Sequence, residues 1–298
     1  MIDKLEANGL TLAYEEMGDP AGRPLLMVNG LGSQMNGWHD EFCRLLAGRG
    51  FRLVRFDNRD VGESTHFSAY GVPDFAAVSR GTPPPPPYLL EDMADDAAGL
   101  LDALAMAPAH VVGMSMGGMI VQALAIRHPS KVRSLTSIMS TPSRSVGQAT
   151  PEASAALMVP RPTTREAAIE QAVRTFRIIG SPGFEFDEQW RRSVAAAAFD
   201  RDPDPFGRAR QLFAIMCSPD RTPGLASVKA PALVIHGAAD PLVQPAGGRA
   251  TAGAIPGAEL MMIDGMGHDL PRAVWPSIVD RVTALADRAD GLGSDSAP

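Results

Sequence analysis

Two kinds of segment alternate along the chain: short continuous apolar runs, and longer segments whose apolar residues recur at helical spacing. Residues 25–28 and 51–56 are typical of buried strands, because each run is short, continuous and followed by turn residues. Between them, residues 38–46 place apolar side chains at helical spacing. Parallel strands need a crossover of this kind, so the order predicts an α/β protein with a mostly parallel sheet. The same order continues with a helix at 92–106, a strand at 110–112, a helix at 119–127 and a strand at 134–139.

A different pattern interrupts this alternation after Thr141. Prolines separate short helical pieces, such as residues 165–179 and 187–198. Strand-like runs return at 232–235 and 260–263, and a last helix is predicted at 276–288. The pattern therefore predicts an α/β core formed by residues 1–141 and 226–290, a helical cap at 142–225 and a disordered tail at 291–298.

Composition limits the class of protein. The 298 residues are 45% hydrophobic and 20% charged, and the formal net charge of -7 argues against nucleic-acid binding. Two cysteines, Cys43 and Cys217, are too few for a disulfide framework and fit a reducing compartment. The amino terminus carries acids where an export signal needs an apolar core, and no apolar run is long enough to span a membrane. We therefore expect a cytoplasmic protein without stable membrane insertion, and homo-oligomerisation is left open.

Five consecutive prolines at residues 83–87 predict a stiff polyproline spacer, since proline is excluded from helix and sheet interiors. The favoured interpretation is a loop at the rim of the site. The alternative is a recognition ligand for a partner domain.

The strongest chemical signal is the sequence Gly-Met-Ser-Met-Gly at residues 113–117, between a predicted strand and a predicted helix. A sharp strand-to-helix turn exposes the hydroxyl of its serine, and glycines are needed where a Cβ would collide with neighbouring backbone. Ser115 is therefore the predicted nucleophile.

A serine hydroxyl needs a base within hydrogen-bond reach and an acid that orients the base. Asp240 follows the strand at 232–235, and His268 follows the strand at 260–263, so the chain order is serine, aspartate, histidine. All three lie after the carboxyl ends of parallel strands, where α/β sheets place their ligands. Asp264 and Asp269 are rival acids, and Asp240 is favoured over both. His236 suits a packing or hydrogen-bonding role better than that of a base.

An attacking serine leaves negative charge on the carbonyl oxygen, which backbone N–H groups must stabilise. Met116 is the first predicted donor, and Leu31, in the glycine-rich loop after the strand at 25–28, is the second. Several methionines near the nucleophile and the histidine loop suggest a flexible apolar pocket, with core filling as the alternative. The predicted substrate-binding residues are Gly30, Met114, Met139 and Met266.

Spacing argues against a metal or a cofactor. The histidines and cysteines do not stand at zinc-type intervals, and the chain has neither a phosphate-binding loop nor a dinucleotide fingerprint. We expect neither kind of group.

Five motifs occur in a fixed order along the chain, and together they resemble the α/β-hydrolase fold family from end to end, in its serine lipase and esterase type. Actinobacterial lipase/esterases and anthracycline methyl esterases are similar in particular. The resemblance implies a triad of Ser115, Asp240 and His268 and no cofactor. Many members have histidine where this chain has Asn29, which can still hydrogen-bond to the loop. The motifs are Asn29-Gly30-Leu31-Gly32, Asp57-x-Arg59-x-x-Gly62-x-Ser64, Gly113-x-Ser115-x-Gly117-Gly118, Gly237-x-x-Asp240 and Gly265-x-Gly267-His268.

The resulting hypothesis is an enzyme that cleaves a carboxylic ester of a small or medium apolar molecule through an acyl-enzyme intermediate. The same triad would serve a thioesterase, a carbon–carbon bond hydrolase or a cofactor-free perhydrolase. An alternative of another class is a non-catalytic receptor that uses the pocket for recognition alone.

Overall fold

A computed structural model describes residues 2–202 and 204–292 and contains an eight-stranded sheet. The strand order is β1-β2-β4-β3-β5-β6-β7-β8, and every pairing from β4 through β3 to β8 is parallel. The predicted fold class is confirmed. The strands are β1 (Asp3–Ala7), β2 (Leu10–Met17), β3 (Arg23–Val28), β4 (Phe51–Phe56), β5 (Ala109–Met114), β6 (Val132–Ile138), β7 (Ala232–Gly237) and β8 (Glu259–Ile263).

Helices pack on both faces of the sheet, each burying an apolar stripe. One core cluster joins the sheet to α3 and α4, and the other joins it to α1 and α11. The helices are α1 (Asp40–Ala47), α2 (Phe75–Ser79), α3 (Leu90–Ala103), α4 (Met116–Arg127), α5 (Pro151–Leu157), α6 (Arg165–Ile179), α7 (Glu188–Arg201), α8 (Gly207–Cys217), α9 (Thr222–Leu225), α10 (Ala246–Ala254) and α11 (Trp275–Ala289).

The described residues between β6 and β7 form five helices, α5 to α9, and α6 and α7 lie where helical pieces were predicted at 165–179 and 187–198. Helices α6 and α7 pack against each other. Ala214 of α8 and Leu225 of α9 are fully buried in the main core cluster, so the end of this segment packs onto the sheet layer. The division into core and cap at residues 142 and 225 stays a prediction.

Two further predictions concern the proline run at 83–87 and the carboxyl-terminal tail. The proline run at 83–87 lies in a stretch without regular secondary structure and is not among the wall residues of the large cavity described below. Its place at the rim stays a prediction. The predicted disorder at 293–298 lies outside the described residues. No helix in the described part of the chain is long and apolar enough to cross a membrane.

Candidate active site

The turn between β5 and α4 holds Ser115 in a strained backbone conformation, with φ 55° and ψ -120°. Its N–H donates to the carbonyl of Ile138 on the neighbouring strand β6, at 2.9 Å. A Cβ at Gly113 would lie 2.1 Å from the carbonyl oxygen of Gly117, and a Cβ at Gly117 would lie 2.1 Å from that of Val28. Both glycines are therefore required for the turn to close, and the serine side chain is presented at the end of the strand.

The three predicted triad side chains lie together at the carboxyl edge of the sheet. The Nε2 atom of His268 is 2.9 Å from the hydroxyl oxygen of Ser115, and its Nδ1 atom is 2.7 Å from Oδ2 of Asp240. The other carboxylate oxygen of Asp240 accepts the N–H groups of Leu242 and Val243, at 2.8 and 2.9 Å. Asp240 is buried, and its carboxylate has three hydrogen-bond donors when the imidazole donates from Nδ1. This leaves Nε2 free to accept the serine proton.

The rival groups have other hydrogen-bond partners or face solvent. Asp264 is exposed, and the carboxylate of Asp269 accepts a hydrogen bond from Ser181. His236 is fully buried with Nε2 2.7 Å from the carbonyl oxygen of Val243, and burial lowers its pKa below the ordinary value. A neutral, donating imidazole fits the predicted hydrogen-bonding role.

The backbone N–H groups of Leu31 and Met116 are candidates for an anion site beside Ser115. In the part of the chain that the structure describes, neither N–H has a hydrogen-bond acceptor. Met116 is the first residue of α4, where the helix dipole favours negative charge. A Cβ at Gly30 would lie only 3.2 Å from that of Ser115, so the glycine lets the loop approach the nucleophile. The arrangement can stabilise an oxyanion, and its catalytic role stays a prediction.

Asn29 braces this loop. Its side-chain amide donates to the carbonyl of Gln34 at 2.7 Å, and its own carbonyl accepts from Asn58 at 3.2 Å. The carboxylate of Asp57 accepts the N–H of Met35 at 2.7 Å. Asparagine therefore hydrogen-bonds to the loop where many family members carry histidine.

A cavity of about 1100 Å³ opens above Ser115, between the sheet edge and the segment that carries α5 to α8. Gly30, Met114 and Met139 lie in its wall, and their role in substrate binding stays a prediction. Met266 does not lie in this wall, and the prediction for it is corrected. Its side chain is fully buried among the apolar residues of the core cluster that joins the sheet to α1 and α11, so it is not exposed to a ligand in the cavity.

Comparison with known proteins decides the family. Residues 23–271 match the family described as alpha/beta hydrolase fold. The chain belongs to the α/β-hydrolase family. The predicted resemblance is thereby confirmed.

This α/β-hydrolase has relatives that match over nearly their full length. It is 32% identical over 308 residues to the rhodomycin D methylesterase DauP of Streptomyces sp. (strain C5), covering 95% of this chain and 96% of the relative. It is 32% identical over 299 residues to the rhodomycin D methylesterase DnrP of Streptomyces peucetius, covering 92% and 94%. The solved enol-lactonase from Burkholderia xenovorans LB400 has a TM-score of 0.69 at 25% identity and covers 95% of this chain and 99% of that one. The esterase RhEst1 from Rhodococcus sp. ECU1013, with a TM-score of 0.71 at 21% identity and coverage of 95% and 99%, shares the fold.

Sequence reasoning missed most of the cavity wall that the segment between β6 and β7 contributes in this α/β-hydrolase. Phe176 of α6 and Trp190, Arg191 and Val194 of α7 line the cavity. A signal was present in α7, where the apolar positions Trp190 and Val194 are four residues apart on a helix that has no fully buried residue. Apolar side chains on one helix face pack against another part of the protein or line a pocket, and here Trp190 and Val194 line the cavity.

Proposed function

We propose that this chain is a serine carboxylesterase in which Ser115 is the nucleophile, His268 the general base and Asp240 the group that orients His268. The chain is a carboxylic ester hydrolase by its family and its full-length esterase relatives. The observation that carries the serine mechanism is the position of the His268 ring, which bridges the Ser115 hydroxyl and the Asp240 carboxylate at 2.9 and 2.7 Å.

In the proposed acylation step, the Ser115 oxygen bonds to the ester carbonyl carbon while its proton passes to Nε2 of His268. The carbonyl oxygen becomes an oxyanion that the N–H groups of Leu31 and Met116 stabilise. When the oxyanion collapses, the bond to the alcohol oxygen breaks and His268 returns the proton to the leaving alcohol. Water then repeats the sequence on the acyl-enzyme, releasing the acid and restoring Ser115.

The proposed substrate is a methyl ester, or another small-alcohol ester, of a bulky acyl group. Two observations support this choice. The full-length relatives are named as methylesterases. The cavity of about 1100 Å³ lies at the upper end of the sizes usual for small-molecule sites, and Met114, Met119 and Met139 are among its apolar wall residues. It can hold an acyl group much larger than that of a simple short-chain ester.

The test compares wild type with Ser115→Ala on p-nitrophenyl esters and on methyl esters of graded acyl size. We expect the variant to lose turnover by roughly 10⁴-fold or more, because the covalent step is removed. A fluorophosphonate should label wild type at Ser115, mapped by mass spectrometry, and should not label the variant. Ser227→Ala, which removes an exposed hydroxyl bonded to its own turn, is the matched control and should keep both properties.

Equal turnover by wild type and Ser115→Ala would refute the serine mechanism. The same panel should include a thioester, a β-diketone and acetate with hydrogen peroxide, because the same triad can act on each. If wild type turned over one of these compounds faster than every ester, that compound class would replace the ester as the proposed substrate. Ligand binding without turnover, unchanged in Ser115→Ala, would instead indicate a receptor.

A further inference from the structure

One arginine of the cavity wall lacks a partner. Arg191 projects from α7 into the cavity, with its guanidinium carbon 3.3 Å from the centre of the Phe176 ring and 4.7 Å from that of Trp190. Among the described residues, no group accepts a hydrogen bond from its side chain, and its Nε atom is buried. No described carboxylate lies within 4.0 Å of it. The aromatic rings fix the plane of the guanidinium and leave its N–H groups without acceptors.

The other arginines of the same wall have partners. The backbone carbonyls of Met216 and Leu157 accept hydrogen bonds from Arg144 and Arg208 respectively. Carboxylates pair with the remaining two, Asp202 with Arg161 and both Glu41 and Asp187 with Arg272. Within the described part of the wall, Arg191 is therefore the arginine for which no side-chain donor has an acceptor.

The nearest acids are engaged elsewhere. Asp269 accepts a hydrogen bond from Ser181. Asp187 accepts from Arg272 and from the N–H of Trp190, both at 2.9 Å. Burial lowers the pKa of Arg191 to about 10, opposed by the charges of Asp269 and Asp187, so the guanidinium is still charged at neutral pH. A partly buried cation without a close counter-charge costs the folded protein free energy, and an anionic ligand would reduce that cost.

Arg191 also lies on the histidine side of the site. Asp269, whose charge acts on Arg191, is adjacent to His268 in the chain, and both residues line the cavity. Phe176, on which the guanidinium stacks, lies one helical turn before Ile179, whose carbonyl accepts the N–H of His268 at 2.7 Å. The free donors of Arg191 therefore share one cavity with the reactive hydroxyl.

We propose that Arg191 determines specificity by binding a carboxylate on the acyl part of the substrate, so that the preferred substrate is a half-ester of a dicarboxylic acid. This deepens the proposed esterase function and rests on it. The guanidinium presents paired N–H donors that match a carboxylate in two parallel hydrogen bonds. The scissile ester then lies at Ser115 while the acid group is held under α7.

The test uses monomethyl esters of linear dicarboxylic acids with four to ten carbons and monomethyl terephthalate. Each is paired with the methyl ester of the monocarboxylic acid of the same length or ring. In wild type, kcat/KM should favour at least one half-ester over its neutral partner. Arg191→Gln should reduce that preference by about 10- to 100-fold, the size of a charge-assisted contact. Arg191→Lys should retain part of the preference.

The matched control is Arg165→Gln on the neighbouring helix α6, which removes the same charge from an exposed ion pair with Asp200. It should keep the wild-type ratio, which separates a local contact from a change in overall charge. Equal half-ester preference in wild type and Arg191→Gln at every length would overturn the proposal.

Calorimetric binding of the same esters to Ser115→Ala, with and without Arg191→Gln, gives an answer that does not depend on turnover. Tighter binding of a half-ester that disappears with Arg191→Gln supports the proposal even if no ester is cleaved. Unchanged binding overturns it even if the esterase function is established by the neutral esters.

Discussion

Ser115 occupies a backbone conformation that a residue with a side chain rarely adopts, at a cost of about 1–3 kcal/mol. Neighbouring groups hold it there. Its N–H donates to Ile138, and its carbonyl accepts from the hydroxyl of Ser140 at 2.8 Å. The cost is retained because this conformation directs the hydroxyl away from the sheet and toward His268.

Asp240→Asn should lower kcat by about 10³- to 10⁴-fold. The carboxylate accepts from Nδ1 of His268 at 2.7 Å, whereas an amide NH₂ facing the ring would favour the tautomer with the proton on Nε2. That tautomer cannot accept the proton of Ser115. Steady-state kinetics on an activated ester gives the measurement.

Asp264→Asn is the matched control for this change. Asp264 is an exposed carboxylate on the histidine loop, so its variant should keep wild-type kcat. If Asp240→Asn were as active as Asp264→Asn, another group would orient the histidine.

The positions of the three residues of the proposed triad were predictable from the sequence because they depend on topology. Each of Ser115, Asp240 and His268 follows a short apolar strand, and parallel strands end at one edge of the sheet. The packing of individual side chains was less predictable. Met114 and Met266 both lie next to triad loops, yet the first lines the cavity and the second is fully buried in the core. Composition and spacing do not distinguish these two orientations.

At the level of elements, the histidine loop is fastened to the end of α6 rather than to the sheet alone. The N–H of His268 donates to the carbonyl of Ile179 at 2.7 Å, and the N–H of Gly267 donates to the hydroxyl of Ser181 at 2.9 Å. A Cβ at Gly267 would lie 2.1 Å from the carbonyl oxygen of Gly180, so the two backbones are in close contact. The segment after α6 therefore helps to position the imidazole.

Ser181→Ala should lower kcat by about 10- to 100-fold, with a smaller effect on KM. The substitution removes the acceptor of the Gly267 N–H and the donor to Asp269, so the imidazole is held less accurately. The free energy of unfolding should fall by about 1–2 kcal/mol, since a partly buried donor loses its partner. Kinetics and urea denaturation measure the two effects.

Ser181→Thr, which keeps the hydroxyl, should restore most of kcat, as expected of a positioning residue. Ser193→Ala removes an exposed hydroxyl of α7 that bonds within its own helix and should change neither quantity. Wild-type kcat in Ser181→Ala would show that the sheet alone positions His268.

The elements that sequence reasoning missed lack a strong local signal. Strands β1 and β2 form an antiparallel hairpin at the edge of the sheet, where exposed and buried positions mix and no continuous apolar run develops. Helix α10 is rich in glycine and alanine, and glycine disfavours helices. Its glycines allow close packing instead, because a Cβ at Gly248 would lie 2.5 Å from Nδ1 of His236. Tertiary contact, which the sequence pattern does not display, stabilises both elements.

At the scale of the whole molecule, histidines buried within the α/β core make the stability of the fold depend on pH. His236 and His110 are 0% and 1% exposed, and burial lowers the pKa of both below the ordinary value of 6.5. For His236, Nε2 donates to Val243, while Nδ1 has no hydrogen-bond partner among the described residues. A second proton on this ring would therefore be buried without an acceptor.

This arrangement predicts that the protein loses stability as the pH falls from 7 toward 5. Below pH 6.5 the unfolded chain binds protons on these histidines before the folded chain does, so the free energy of unfolding decreases. Each histidine can contribute at most about 1.4 kcal/mol per pH unit. His236→Gln keeps an N–H donor for Val243 but does not titrate, so its slope should be smaller than that of wild type. Urea denaturation at pH 7, 6 and 5.5 compares the slopes, and equal slopes would show that His236 binds its proton as readily in the folded chain as in the unfolded one.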